Sequence, residues 1–195
     1  MADKVTWKQK LRASFDLMLL FGRGIEPFEK DNTKKAALQS LWIPAVMFPL
    51  GLVSAWLWPP EHLKTVPIAN VLLTEAVGTI VSIPATIGVL WLAAVALNRK
   101  DRFWIAFQAG LWIGIPISIV SAPFLVLALM GWYPREKMDA IFTMLLYYNF
   151  IVGACVLYRG LKIQWEFAIF FACVGIFVGQ MIQNVECWVN GVPIL

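Results

Sequence analysis

The sequence predicts an all-α, polytopic membrane protein: five transmembrane helices, N-terminus cytoplasmic and C-terminus outside, preceded by an amphipathic interfacial helix. Three observations predict it. First, 60% of residues are hydrophobic against 14% charged, with a mean hydropathy of +0.72, beyond what a soluble surface tolerates. Second, residues 103–131 contain no Asp, Glu, Lys, Arg or His. At ~1.5 Å per residue such a helix reaches about 43 Å, against about 30 Å for a bilayer's hydrocarbon core. Third, the positive charges collect at the borders of apolar runs, as in the block Asn98-Arg99-Lys100-Asp101-Arg102.

Taken in order, residues 1–35 form a cytoplasmic basic segment and residues 36–195 the five-helix domain. In the segment, Trp7, Leu11, Phe15, Met18 and Leu19 recur at helical spacing, with Lys4, Lys8, Arg12 and Asp16 opposite. Two readings stand: a helix lying on the bilayer with its cations drawn to anionic lipid headgroups, or one packed on the protein's own spans. The apolar run 17–21 is too short for a secretory signal, and no small-x-small cleavage site follows. Gly22, Gly24 and Pro27 end the helix.

The spans are expected at about 37–58, 67–97, 103–131, 138–158 and 165–185. Pro59-Pro60 stops the first, Pro84 bends the second, and Pro116 and Pro123 take up the surplus length of the third by kinking it. A tail from Glu186 follows the fifth. Orientation rests on positive charge. With the N-terminus inside, thirteen cations are cytoplasmic: Lys4, Lys8, Lys10, Arg12, Arg23, Lys30, Lys34, Lys35, Arg99, Lys100, Arg102, Arg159 and Lys162. Only Lys64, Arg135 and Lys137 are outside. Trp58, Trp132 and Trp188 then mark the outer interface, and Trp104 and Trp165 the inner one.

The chemistry is sparse. HExxH, P-loop, GxSxG and CxxC patterns are all missing from the sequence, and its single histidine, His62, sits in a short outer loop without a nucleophile beside it. Cys155, Cys173 and Cys187 are scattered and odd in number, so no disulfide framework is expected. No cofactor, metal or catalytic residue is expected, and the protein is not read as an enzyme. The net charge of +4 lies at membrane borders rather than along a basic stripe, which argues against nucleic acid as a partner.

A candidate polar face within the membrane comprises Glu75, Asn149, Gln180, Gln183 and Asn184. Glu75 reads first as an interfacial carboxylate and second as a functional one. Asn149, beside Tyr147 and Tyr148, reads as an interhelical hydrogen bond. Gln180, Gln183 and Asn184 line the outer half of the fifth span, either with Glu75 around a polar pocket or as a structural cluster. Gly110-x-x-x-Gly114 and Gly175-x-x-x-Gly179 place small residues one turn apart, the pattern of close helix packing, within the bundle or between copies.

Three stretches carry a resemblance. The basic turn Arg99-Lys100-Asp101-Arg102 precedes the span FWIAFQAGLWIGIPISIVSAPFLVLAL; Val156-Leu157-Tyr158-Arg159-Gly160-Leu161-Lys162 closes the fourth span; and Glu26-Pro27-Phe28 approaches the first. Together they resemble the YIP-domain family of small five-span membrane proteins, whose eukaryotic members bind Rab/Ypt GTPases. The resemblance covers residues 25–185 in topology and about 99–162 in recognisable residues. It implies a non-enzymatic protein with a cytoplasmic N-terminus. The short N-terminal segment lacks the long acidic or Pro-rich region of the eukaryotic members, which points to a bacterial-type relative in the inner (cytoplasmic) membrane.

The expected function is therefore a YIP-like membrane-organising or protein-interaction component. Its expected partners are the lipid bilayer, anionic lipids at the N-terminal helix, and a membrane-protein partner or a second copy. A small transporter or channel subunit using the polar face, and an accessory subunit of a larger complex, are the alternatives.

Overall fold

A computed structural model describes residues 5–57, 66–132 and 134–189, and among them every regular element is helical. The elements are α1 (Trp7–Met18), a 3-10 turn (Gly22–Ile25), α2 (Glu26–Lys30), α3 (Lys34–Gln39), α4 (Trp42–Leu57), α5 (Ile68–Ala96), a 3-10 turn (Lys100–Arg102), α6 (Phe103–Leu129), α7 (Arg135–Leu161) and α8 (Trp165–Val189). Five stretches are long and apolar enough to cross a membrane: Lys34–Leu57, Ile68–Ala96, Lys100–Leu129, Glu136–Leu161 and Trp165–Val189. They match the expected spans to within a few residues. α8 runs to Val189, past the expected start of the tail. The readings of Trp58, the prolines after it, His62 and Lys64 lie outside the described residues.

The first span is built in two pieces, which the sequence reading did not foresee. Pro44 has no N–H to donate to the Ser40 carbonyl, and the helix breaks there, between α3 and α4. Ser40 is buried at the break. Its hydroxyl donates to the Ala36 carbonyl at 3.0 Å and accepts the indole N–H of Trp112 at 2.9 Å, tying the break to α6. α3 itself starts on a cap, with the Thr33 hydroxyl accepting the Ala36 N–H at 3.1 Å.

α6 is the central helix. Ile105, Ala109, Trp112 and Ile113 pack in one cluster with α1, Phe28, Ile43 of α4 and Val152 and Val156 of α7. Phe103, Ala106 and Phe107 pack in a second with Ala37 of α3, the last turns of α5, Leu161 of α7 and Ala168 of α8. Both clusters lie at the end of the bundle that holds the 99–102 and 159–162 turns, called here the basic end. Toward the opposite end burial thins out: beyond Pro116 only Ala128 of α6 is buried, and α4 buries only Ile43. The remaining helix surfaces expose large apolar side chains such as Leu73, Ile80, Phe170 and Phe177. That is the distribution expected of helices surrounded by lipid rather than water.

α1 is helical where expected. The Thr6 hydroxyl accepts the Gln9 N–H at 3.3 Å while the Gln9 side chain accepts the Thr6 N–H at 2.7 Å, a reciprocal cap. Its buried face is rotated from the expected one. Lys10, Ala13, Ser14, Leu17 and Met18 are buried, whereas Trp7 and Leu19 are exposed. The small side chains at 13 and 14 let the helix approach α6, and the Lys10 ammonium is neutralised by Asp31. Of the two readings of this segment, packing on the protein's own spans is the one observed.

Candidate functional site

Two of the stretches singled out in the sequence, 99–102 and 156–162, meet at the basic end together with Glu29, the residue after 26–28, while Phe28 packs in the first apolar cluster. Arg102 is the hub. Its Nε donates to the Gly160 carbonyl at 2.8 Å, and its Nη2 donates to Glu29 and, at 3.4 Å, to the Arg159 carbonyl. Lys162 reaches the same Glu29 oxygen at 3.1 Å. Hydrogen bonding from Arg102, helped by Lys162 and opposed by partial burial, holds the Glu29 carboxyl below the usual carboxylate range. Asn32 donates to the Asp101 carbonyl at 3.2 Å, adding a second tie between the segment and the α5–α6 turn. Two cations thus share one carboxylate, and charge-assisted bonds reach two backbone carbonyls.

Glycine sets the distances here. A Cβ on Gly160 would sit 2.8 Å from both Cα and Cβ of Ala106, so α7 and α6 are in backbone contact. A Cβ on Gly24 would sit 2.7 Å from the Ala13 carbonyl oxygen and the Leu17 nitrogen, so the 22–25 turn folds directly back on α1. Lys162, which caps α7, has φ +52°, and the Ile163 N–H returns to the Tyr158 carbonyl at 3.2 Å.

The end of α1 reaches well along the bundle. Tyr148 donates its hydroxyl to the Met18 carbonyl. At ~1.5 Å per residue, Tyr148 lies about 20 Å along the α7 axis from Leu161. Arg159 reaches the neighbouring turn, its Nη2 donating to the Leu20 carbonyl at 2.7 Å. Leu20 adopts φ +62°, and the Phe21 N–H bonds the Asp16 carbonyl at 2.7 Å. The turn's backbone carries hydrogen bonds at Leu19, Leu20 and Phe21 without recourse to solvent. Its side chains Leu19, Leu20 and Phe21 are 53%, 38% and 49% exposed. An apolar tip therefore projects from the bundle on a clamped backbone. Above it the outer face of α1 is polar: Gln9, Arg12, Asp16, Arg23, Glu26 and Lys30 line a cleft of about 220 Å³, with Arg23 holding Asp16 through two 3.0 Å bonds.

The predicted polar face does not assemble. Gln180 and Gln183 are exposed on α8, where Gln180 donates to Asn184 at 3.5 Å within the same helix. Glu75 is partly buried on α5. Among the described residues no hydrogen bond joins Glu75, Asn149 and the α8 amides. Asn149 makes no interhelical hydrogen bond among these residues either, contrary to expectation; it lines a cavity of about 370 Å³ between α5, α6, α7 and α8. The glycine pairs do not show the close packing expected inside the bundle. Nothing lies within 4 Å of a Cβ built on Gly110, Gly114, Gly175 or Gly179, so these are not packing contacts inside the bundle. Spacing alone gave the pattern, but helix rotation turned Gly110 and Gly175 toward the cavity instead.

Sequence reasoning missed Ser40, Tyr148 as a clamp, and Gln108. The last is 1% exposed with neither amide atom hydrogen-bonded among the described residues. A lone amide in an otherwise apolar run, FWIAFQAGLW, was the available signal. Compared with known proteins, the chain matches no family model, no curated protein and no solved structure.

Proposed function

We propose that the protein is a non-enzymatic integral membrane component, YIP-like in plan, that organises the bilayer around it through its N-terminal segment. In this reading the basic end faces the cytoplasm of a bacterial cell and the membrane is the inner one. The observation that carries it is the tip at Leu19, Leu20 and Phe21: three exposed apolar side chains on a turn clamped by Tyr148 and Arg159. Such a tip, placed below a polar and cationic face, enters the headgroup–acyl boundary of one leaflet. Insertion of about 5–10 Å is typical for amphipathic elements of this kind, and it spreads one leaflet relative to the other. The meeting of Glu29, just past the 26–28 stretch, with 99–102 and 156–162 around Arg102 supports a common purpose for these segments, namely holding that tip in place. The transporter reading has less to stand on, because Gln180 and Gln183 face outward and Glu75 stands apart from Asn149.

The test is reconstitution into vesicles of phosphatidylethanolamine and phosphatidylglycerol at fixed protein-to-lipid ratio, with vesicle diameter read by electron cryo-microscopy. The native protein is expected to shift the distribution to smaller diameters. The double variant Leu19→Asp/Phe21→Asp, with an unchanged thermal midpoint, is expected to return it to that of lipid alone. Equal diameters with the two proteins would remove the proposal.

A further inference from the structure

We propose that the cavity between α5, α6, α7 and α8 is a binding site for an uncharged, lipid-soluble molecule with an apolar body and one hydrogen-bond-accepting oxygen, held by the Asn149 amide. Its volume of about 370 Å³ falls in the range of small-molecule sites, roughly 300–1,000 Å³. Such sites are mostly apolar with a few polar groups that orient the ligand, and the wall here follows that rule. Thr86 and Asn149 are its two polar side chains, and everything else in it is aliphatic, aromatic or glycine. The space exists because Gly110, Gly153 and Gly175, on three different helices, present no side chain to it, and no atom lies within 4 Å of where a Cβ would be.

The mouth indicates where the ligand comes from. Leu146 and Ile176 line the cavity yet are 58% and 48% exposed, so it opens on the apolar flank of the bundle. A molecule reaches it from the bilayer, not from water. No ionisable side chain lines the wall, so a charged group would lose its hydration without a partner, which excludes ions and fatty-acid carboxylates. Asn149 supplies the polar requirement. It makes no hydrogen bond to any described residue, and its amide can donate to a carbonyl or ether oxygen. It lies about 18 Å along α7 from Leu161, deeper than the ester and headgroup oxygens at a bilayer's surface reach. A plain acyl chain would fill the volume and leave the amide unpaired. A lipophile with an oxygen set within its apolar body satisfies both.

Photolabelling in phosphatidylcholine nanodiscs tests this with two probes: a diazirine-bearing long-chain ketone and the matching hydrocarbon without the carbonyl. With the native protein, ketone label is expected in residues 146–157 and 171–176, exceeding hydrocarbon label there about three- to tenfold, the worth of one hydrogen bond at membrane depth. Asn149→Leu, close in shape, should lower the ketone to the level of the hydrocarbon. Gly153→Leu, which fills the cavity, should remove both from these segments, and Asn149→Leu still decides the matter if that variant does not fold. Equal labelling of the native protein by the two probes, meaning acyl-type filling only, would overturn the proposal. So would label spread evenly over all exposed helix surfaces, or ketone labelling unchanged in Asn149→Leu.

Discussion

Gly160 and Gly110 sit on neighbouring helices, and a side chain added at each would meet opposite fates. At Gly160 a Cβ would run into the backbone of Ala106; at Gly110 it would enter open space. The contrast extends to the regions around them. Next to Gly160, Arg102 joins Glu29 to the carbonyls of Gly160 and Arg159, Lys162 adds a second cation, and two apolar clusters meet on α6. Around Gly110 and along the bundle's flank, three glycines open a cavity and the polar residues go their separate ways. One end of the molecule is fastened by backbone contact and charge. The flank and the far end leave room that the membrane must fill. The same residue type serves both purposes, and only the neighbour across the helix interface tells them apart.

Glycine substitutions give the sharpest test of that contrast. Gly160→Leu and Gly24→Val force side-chain atoms into backbone, and overpacking of this kind costs about 1–3 kcal/mol or more. Both are expected to lower the thermal midpoint in detergent by several degrees. If either were neutral, the close contacts at the basic end would be wrong. Next in size is Gln108→Leu. It removes a buried amide without a partner and keeps the volume, so stability is expected to rise by about 1–2 kcal/mol. A fall in the midpoint would mean that the amide has a partner in the membrane.

The Glu29 clamp follows. Its carboxyl titrates below its ordinary value of 4.5 when the segment is docked. A depressed folded-state pKa contributes stability that is full above the ordinary value and is lost as pH falls through the lower one. The distance between spin labels at Lys8 and Lys100 is therefore expected to broaden only as pH drops below about 4.5. In Glu29→Gln the broad component should be present already at pH 7. A distance distribution insensitive to both acid and substitution would leave the clamp without a role in docking. The smallest effect belongs to Gly110→Ala and Gly175→Ala. With open space at both positions, each should leave stability unchanged or raise it by up to about 1 kcal/mol through helix propensity. A loss of 2 kcal/mol would mean that a second copy or an internal helix packs there after all.

The division between what was legible in the sequence and what was not follows the range of the forces involved. The apolar runs are long enough to bound the spans with no tertiary information, and Pro44 stands four residues after the break at Ser40. The helical period of α1 was readable as well. Its rotation was not, because it depends on Lys10 finding Asp31 and on Gly24 lying against Ala13, pairings made only once the turns after α1 fold back on it. The small-residue repeats at 110/114 and 175/179 were visible as patterns but silent about what they face. Conversely, Arg159-Gly160-Leu161-Lys162 stood out as a pattern closing the fourth span, with no sign of what each residue contacts. The fold gives three of its members separate tasks: Arg159 on Leu20, Gly160 on Ala106 and Lys162 on Glu29.

The depth of the α1 tip tests the central claim most directly. Single spin labels at Lys8, Phe21 and Phe177 would be placed in a background with Cys155, Cys173 and Cys187 replaced by Ala. Their collision rates with oxygen and with a water-soluble nickel complex would then be compared in bilayers. The label at Phe21 is expected to behave like the one at Phe177, on the apolar flank of α8, favouring oxygen, while the label at Lys8 favours nickel. A Phe21 label as open to nickel as the Lys8 label would contradict the account: the N-terminal segment would then lie in water, and the tip would not enter the bilayer.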